Sequence, residues 1–181
     1  VRNKLERVAE TDVPVLIQGD SGTGKEICVR LLHALSLRNR GSLVKVSCPA
    51  IPNSLLETEL FGYEKGAFTG AMTTKLGRVE QAHNGTLFLD EVGSLDQGVQ
   101  SKLLQVLQDG TFVRVGGHEP RSIATRLVSA SNTDLRNQVE DGTFRLDFLF
   151  RINAVTINLP PLRQRIADLP VLIDYFIEHY A

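Results

Sequence analysis

Short apolar runs alternate with segments of helical periodicity along most of the chain. The apolar runs predict buried strands over 13–17, 43–47, 86–90 and 127–130. Apolar positions spaced three or four apart predict helices over 2–9, from the glycine-rich loop to about 37, from Asn53 as its cap to Gly62, and up to Gly110. Strands alternating with helices are typical of a parallel sheet covered on both faces, so the predicted fold class is α/β, with three αβα layers around a central parallel sheet.

The pattern continues more weakly toward the C-terminus. A further helix is expected to resume near Leu76. Apolar residues alternate with polar ones over 155–159, which predicts an edge strand that the prolines at 160 and 161 end. Asp168 and Pro170 are expected to open a last helix that buries one face. The residues of that face are Leu172, Ile173, Phe176 and Ile177.

A glycine-rich segment directly follows the first predicted strand. It reads Gly19-Asp20-Ser21-Gly22-Thr23-Gly24-Lys25, and Ile27, Leu31 and Leu35 then recur at helical spacing. A strand, a loop and a helix in this order form a P-loop, in which backbone N–H groups, the helix N-terminus and a lysine hold phosphate groups. Residues 19–26 are therefore expected to bind ATP. Glu26 stands where most P-loops have a Ser or Thr for Mg²⁺, so metal binding must rely on other oxygens.

The strand over 86–90 carries two adjacent carboxylates out of its C-terminal end, Asp90 and Glu91. Open parallel sheets bind ligands at this end of their strands. Asp90 is expected to hold Mg²⁺, directly or through water, and Glu91 to polarise a water molecule for attack on the γ-phosphate. A solvated acidic turn is the alternative for such a pair when no P-loop precedes it.

Composition narrows the possible partners and location. The chain has 181 residues and 42% hydrophobic content, enough for one α/β core. Its 20 basic and 21 acidic side chains give a net charge of −1, so DNA binding by this segment is not expected. The basic runs 38–40 and 163–165 are interpreted as solvated loops. Cys28 and Cys48 are expected to be small core residues in a reducing cytoplasm, and no apolar run is long enough to span a membrane.

Residues Gly66-Ala67-Phe68-Thr69-Gly70-Ala71 form the most specific motif of the chain. Together with the P-loop, Glu26 and the Asp90-Glu91 pair, the chain resembles, over nearly its whole length, the AAA+ ATPase domain of bacterial enhancer-binding proteins. These NtrC-like proteins activate sigma-54 RNA polymerase. Residues 66–71 match that family's GAFTGA signature without substitution, and the family likewise has Glu at the position of Glu26.

The resemblance implies a P-loop NTPase of the AAA+ type that assembles into a hexameric or heptameric ring. It implies an α/β ATPase subdomain over 1–165 and the start of a helical lid over 166–181, with most of the lid missing. Promoter or enhancer DNA would be bound by domains absent from this chain. A fragment without its lid is expected to bind nucleotide weakly and to assemble poorly.

The resemblance further implies that residues 66–71 are the tip of a loop, 62–75, that contacts the sigma factor in the ATP state. Gly66 and Gly70 would loosen the backbone, and Phe68 would grip the partner. The alternative is a turn whose Phe68 fills the local core. Residues 113–123 resemble the family's second inserted loop, or else form a plain turn.

Several further roles are implied only by the resemblance. Arg145 and Arg151 fall at the positions of the arginine fingers that complete a neighbouring subunit's site, although Arg145 could instead pair with Asp141 or Asp147. Ser131 and Asn132 occupy the sensor I position. Ser47 stands where the family usually has an Asn that restrains the catalytic Glu, and the shorter side chain suggests weaker coupling between Glu91 and the loops.

Three functions compete at this point. The first is an ATPase that remodels the closed promoter complex of sigma-54 RNA polymerase. The second is a nucleotide-dependent switch or assembly module with little hydrolysis. The third is another AAA+ remodeller, such as a helicase loader or a chelatase, which the intact motif at 66–71 argues against.

Overall fold

The structure, a computed structural model, describes residues 1–180 of the chain. The helices are α1 (Arg2–Ala9), α2 (Lys25–Ala34), α3 (Asn53–Phe61), α4 (Arg78–Gln81), α5 (Gln97–Asp109), α6 (Leu135–Glu140), α7 (Leu146–Ile152) and α8 (Leu169–Tyr180). The strands are β1 (Val15–Gln18), β2 (Leu43–Ser47), β3 (Gly62–Tyr63), β4 (Lys75–Leu76), β5 (Thr86–Asp90), β6 (Thr111–Phe112), β7 (Arg121–Ser122), β8 (Arg126–Ser131) and β9 (Val155–Asn158).

A five-stranded parallel sheet forms the centre of the molecule, with strand order β2-β5-β8-β1-β9. Val15 of β1 lies opposite Val128 on one side and Val155 on the other. The predicted fold class is confirmed, and β9 is the edge strand that its alternating pattern indicated.

Alternate residues of the strands pack into two cores, one on each face of the sheet. Val15 and Ile17 join the core beneath α1 and α2, whereas Leu16 joins the core formed with α3, α5, α6 and α7. This is the period of two that a strand imposes on its side chains. The buried Arg126 at the start of β8 donates to the carbonyl oxygens of Val8 and Ala9, so it satisfies the C-terminal end of α1.

Helix α2 forms where Ile27, Leu31 and Leu35 predict it, but those residues do not enter the core. Ile27 is 72% exposed, while Val29 and Leu32 are fully buried. The helix starts at Lys25 directly after the P-loop, and the loop therefore decides which side of the helix meets the sheet. Periodicity alone predicted the helix but not which of its faces packs against the sheet.

Three boundary predictions need correction. Asn53 does not cap α3: it is the first helical residue, Pro52 is the cap, and the carbonyl oxygen of Pro52 accepts the N–H groups of Leu55 and Leu56. The helix expected near Leu76 begins at Arg78, because Lys75 and Leu76 pair with β3. The prediction that α8 buries one face is wrong for the residues described, since Ile173, Phe176 and Ile177 are all more than half exposed. Within residues 1–180, α8 packs chiefly on the short turn that precedes it.

Two small hairpins extend from the body of the molecule. Strands β3 and β4 close the stem of the segment that contains residues 66–71, and β6 and β7 close the second predicted loop. Both hairpins leave the same region of the fold, since Tyr63 of the first forms a bridge with Val115 of the second. The two insertions are therefore neighbours in space.

Candidate nucleotide-binding site and inserted loops

The loop between β1 and α2 has the backbone geometry of a phosphate cradle. Gly22 and Gly24 have φ angles of 80° and 94°, a region that only glycine adopts readily. A Cβ atom at Gly19 would lie 2.9 Å from the carbonyl oxygen of Leu159. Because α2 begins at Lys25, its unpaired N–H groups and the positive end of its dipole face the loop.

Two arginines from a distant part of the sequence brace this loop. Nη2 of Arg165 donates to the carbonyl oxygen of Thr23 at 2.9 Å, and Arg163 lies 3.4 Å from the carboxylate of Asp20. The interpretation of residues 163–165 as a solvated loop is therefore wrong for Arg165, which is partly buried against the P-loop. Its role depends on a contact 142 residues away in the sequence.

Lys25 connects the P-loop with the acidic pair at the end of β5. Its side chain is 9% exposed, and Nζ lies 3.0 Å from the carbonyl oxygen of Gly19 and 3.0 Å from Oε1 of Glu91. In this arrangement the ammonium group is satisfied by the protein. A phosphate group entering the loop would compete with these oxygens for it.

Glu91 is held in an unusual conformation by two partners. Its φ and ψ are 56° and 57°, a left-handed conformation that costs a residue with a side chain about 1–3 kcal/mol. Oε1 pairs with Lys25, and Oε2 accepts the backbone N–H of Asn132 at 2.8 Å. Strain of this kind clusters at functional sites, and here it turns the carboxylate from the end of β5 toward the end of β8.

The other predicted residues at this edge of the sheet contribute differently from expectation. Asn132 contacts Glu91 through its backbone, and its own side chain is exposed. Ser131 is buried, and its hydroxyl donates to the carbonyl oxygen of Thr133. Ser47 lies opposite Asp90 in the β2–β5 register. In the part of the chain that is described, the carboxylate of Glu91 is paired with Lys25 and with the backbone N–H of Asn132, not with Ser47.

Asp90 and Glu26 converge on one cation, the ammonium group of Lys45. Nζ of Lys45 lies 2.7 Å from Oε2 of Glu26 and 3.2 Å from Oδ2 of Asp90. Lys45 and then Arg30 lower the pKa of Glu26 through hydrogen bonds, so its carboxylate stays ionised. Two carboxylates that already share a cation fit Mg²⁺, which binds through one or two carboxylates plus phosphate oxygens. Residues 1–180 contain no group of three or more metal-binding side chains.

These residues surround an open cavity of about 410 Å³. Its walls are Ser21, Gly22, Gly24, Lys25, Glu26, Ile27, Arg30, Asp90 and Glu91. A larger cavity of about 730 Å³ lies between α1 and the start of β9, at the other end of the strands, and is mostly apolar. The smaller cavity is the candidate site because it alone, of these two, combines the P-loop with the acidic pair.

The two predicted arginine fingers do not join this cavity: Arg145 directly precedes α7, and Arg151 lies on it. Arg145 makes a two-pronged pair with Asp147, with Nη2 2.7 Å from Oδ2, so the alternative pairing forms within this chain. Arg151 donates to the carbonyl oxygen of Leu107. Beside them Leu146 and Phe150 are exposed, by 52% and 72%. The α7 surface thus combines cationic and apolar groups at a distance from the chain's own P-loop.

The tip of the first inserted loop is a compact turn that presents an aromatic ring. Gly66 and Gly70 have φ angles of 84° and 101°, and the N–H of Gly66 donates to the carbonyl oxygen of Ala71. Phe68 is 46% exposed and meets Tyr63 edge to face, with ring centroids 5.0 Å apart. The alternative, in which Phe68 fills the local core, is therefore wrong.

The second hairpin supports the base of the first. Backbone hydrogen bonds join Val115 to Gly62 and Glu64 at 3.0 Å each. Arg114 is buried and binds the carboxylates of Glu64 and Glu80 at 2.9 and 2.7 Å. This contact ties the two loops to α4, and no motif in the sequence indicated it.

The three residues that sequence reasoning missed are Lys45, Arg114 and Arg165. A faint signal existed for Lys45, since it interrupts the otherwise apolar strand Leu43–Ser47.

No helix within residues 1–180 has the length and apolarity required to cross a bilayer.

Known proteins resemble this chain in sequence. The family described as Sigma-54 interaction domain matches residues 1–158. A Nif-specific regulatory protein of Rhodobacter capsulatus is 51% identical over 98% of this chain, and the regulator NtrC of Bradyrhizobium sp. is 52% identical over 95%. The chain covers 31% and 36% of their lengths.

Solved structures agree with these matches. The structure of NtrX from Brucella abortus in complex with ATP is 38% identical, with a TM-score of 0.92 over 98% of this chain and 38% of that one. The ADP complex of NtrX matches equally well. The fold is that of a P-loop NTPase of the AAA+ type. The chain belongs to the family of sigma-54 interaction domains.

Proposed function

We propose that this chain hydrolyses ATP within a ring of identical subunits and uses the energy to remodel the closed promoter complex of sigma-54 RNA polymerase. The observation that carries the proposal is the exposed turn at 66–71, which is braced on the same αβα body that presents the P-loop and the Asp90-Glu91 pair. A contact surface and a phosphate site on one body are what a nucleotide-driven remodeller requires.

The chemical roles follow from the positions of the side chains. Lys25 and the N–H groups around Gly22 and Gly24 would bind the phosphate chain, and Asp90 with Glu26 would hold Mg²⁺, which neutralises phosphate charge when bound. Glu91 would orient and polarise the attacking water. Binding of phosphate would draw Lys25 away from Glu91 and leave that carboxylate with Asn132 as its remaining partner.

The ring completes the site. Arg145 and Arg151 do not contact the P-loop of their own chain, so we infer that they act on a neighbour's phosphates. Arg145 would then exchange the carboxylate of Asp147 for a phosphate group. The exposed Leu146 and Phe150 beside them supply apolar area for contact between subunits.

One observation favours the second candidate, a nucleotide-dependent switch with little hydrolysis. Glu91 is paired with Lys25, and ATP hydrolysis would be slow if this general base remained paired. In that case nucleotide would still drive assembly and loop position, but phosphate release would be negligible.

Substitution of Glu91 separates the two candidates. For the ATPase, Glu91→Gln should retain nucleotide binding and lower phosphate release by about a hundredfold or more, because a general base contributes about that factor. Glu10→Gln, which removes an exposed carboxylate after α1, should change neither. Equal turnover in Glu91→Gln and the native chain would remove Glu91 from the chemistry. Nucleotide binding without turnover in the native chain would favour the switch.

The partner is tested by capture on immobilised sigma-54 factor in the presence of a transition-state analogue of ATP. Phe68→Ala should abolish capture, because it removes the exposed ring. Met72→Ala removes another exposed apolar side chain from the same loop and should leave capture nearly unchanged. Equal capture by both variants would show that the tip at 66–71 is not the contact.

A further inference from the structure

Lys45 lies on β2 and pairs with two carboxylates of the candidate phosphate site. Its Nζ bridges Glu26 and Asp90, and it lies 5.9 Å above the ring of Phe88. It is not among the walls of the cavity, whereas both of its carboxylate partners are. Lys45 thus contacts two of the walls of the cavity without being one of them.

The need for such a residue arises from Glu26. A Ser or Thr at that position would add no charge, but Glu26 adds a third carboxylate to Asp90 and Glu91 in a site that must accept a polyanion. Each uncompensated carboxylate there repels the phosphate charges of an incoming nucleotide. Arg30 offsets part of the charge of Glu26, at 2.6 Å, but does not contact Asp90 among the described ion pairs.

We propose that Lys45 is a positioning residue that serves as the internal cation of this site. It holds Glu26 and Asp90 together and neutralises them, so the P-loop can accept the phosphates of a nucleotide before Mg²⁺ arrives. The ammonium group and Mg²⁺ compete for the same carboxylate oxygens. Loss of Lys45 should therefore weaken binding of metal-free nucleotide and strengthen the linkage between nucleotide and Mg²⁺.

This inference rests on the proposed nucleotide site, and the experiment separates the two. The affinity for a fluorescent ADP is measured in EDTA and again in excess Mg²⁺, for the native chain and for Lys45→Met. The dissociation constant in EDTA divided by that in Mg²⁺ should rise about fivefold to tenfold in Lys45→Met, which corresponds to about 1 kcal/mol. Affinity in EDTA should account for most of that rise.

Two further variants make the result specific. Lys45→Met combined with Glu26→Gln should return the ratio to within about twofold of the value for Glu26→Gln alone, because the carboxylate that required neutralisation is gone. Lys102→Met is the matched control: Lys102 also pairs with a glutamate and also lies 6.0 Å from a phenylalanine ring, but far from the cavity in the fold. It should leave the ratio unchanged.

Each outcome decides the matter. If the native chain binds ADP and Lys45→Met leaves the ratio unaltered, the inference is wrong while the nucleotide site stands. If the native chain does not bind ADP in either buffer, the proposed site fails and the inference with it. Should Lys45→Met unfold, Lys45→Arg keeps the positive charge and should preserve the native ratio, whereas Lys45→Gln removes the charge and should raise it.

Discussion

At the residue scale, Glu91 is the most constrained group of the candidate site. Its backbone is in the left-handed region, and each carboxylate oxygen has its own partner, Lys25 or the N–H of Asn132. The family resemblance implies restraint by a side chain at the position of Ser47. In this structure the restraint comes instead from the P-loop lysine and a backbone amide. Release of Glu91 would then depend on phosphate binding at Lys25.

Cys48 supplies a prediction that depends on burial alone. The residue is 1% exposed, and burial raises the pKa of its thiol to about 12, with Asp90 contributing to the rise. Since the thiolate is the reactive form, at about pH 8 only about one thiol in ten thousand is ionised, against roughly a quarter for a free cysteine. In Cys28→Ala, Cys48 should therefore resist an aromatic disulfide reagent until the protein unfolds.

The measurement is the release of the reagent's chromophore from native and from denatured Cys28→Ala. Cys48→Ala, which leaves the half-buried Cys28, is the comparison and should react faster in the native state. Because the folded thiol keeps its proton to higher pH than the unfolded one, this thiol should not affect the free energy of unfolding below about pH 8 and should lower it as the pH rises from there toward 12. Fast reaction of native Cys48 would contradict the burial.

At the element scale, the two inserted hairpins form one joined unit. Gly116 of the second hairpin has a φ of 73°, and a Cβ atom there would lie 2.5 Å from Cβ of Ala67 in the first. The close approach brings Val115 into register with Gly62 and Glu64. A movement at either hairpin must therefore be transmitted to the other.

Gly116→Ala should disrupt this unit more than conformation alone explains. Gly142 has a φ of 72° with nothing within 4 Å of its missing Cβ, so Gly142→Ala incurs only the left-handed strain. We expect a loss of about 1–2 kcal/mol in the free energy of unfolding for Gly142→Ala and of about 2–4 kcal/mol for Gly116→Ala. Denaturant unfolding measures both.

Limited proteolysis would show where the change occurs. Cleavage between residues 62 and 75 should accelerate in Gly116→Ala and not in Gly142→Ala. Equal losses of stability and equal cleavage patterns would mean that the contact between Ala67 and Gly116 does not join the hairpins.

At the scale of the whole molecule, the strand order brings the functional groups together. Strand β8 lies between β1 and β5, so the P-loop, the backbone of Asn132 and the Asp90-Glu91 pair meet at one edge of the sheet. Strand β2 lies next to β5 at the edge of the sheet and places Lys45 beside Asp90. Arg145 and Arg151 do not line this cavity, so the proposed chemistry requires a second copy of the chain to complete the site.

That dependence predicts how turnover varies with concentration. ATP turnover per subunit should rise with the concentration of the chain and should fall in an equimolar mixture with Arg145→Ala, because mixed rings contain sites with a defective neighbour. Arg2→Ala, which removes an exposed arginine of α1, should have no such effect when mixed. Turnover per subunit that is independent of concentration and of the mixture would show that each chain acts alone.

Local sequence patterns were sufficient to predict the strands and helices whose formation depends on neighbouring residues. Apolar runs placed β2 and β5 at their observed residues and placed β1 and β8 within two residues of them, and helical periodicity placed α1 correctly. The cap at Asn53 and the buried face of α8 were wrong, since a neighbouring proline decided the first and the absence of a covering layer within residues 1–180 the second. The α2 stripe of Ile27, Leu31 and Leu35 revealed a helix but not its orientation.

By itself the sequence determined the fold class, the P-loop, the acidic pair and the motif at 66–71, because each depends on residue types at short spacing along one stretch of chain, whereas the exposure of Phe68 was decided by the tertiary structure. Only the tertiary structure decided which groups meet: Lys25 with Glu91, Lys45 with Glu26 and Asp90, Arg165 with the P-loop, and Arg114 with Glu64 and Glu80. Most of these contacts join segments far apart in sequence. Their partners are chosen by strand order and helix packing, which residue spacing does not encode.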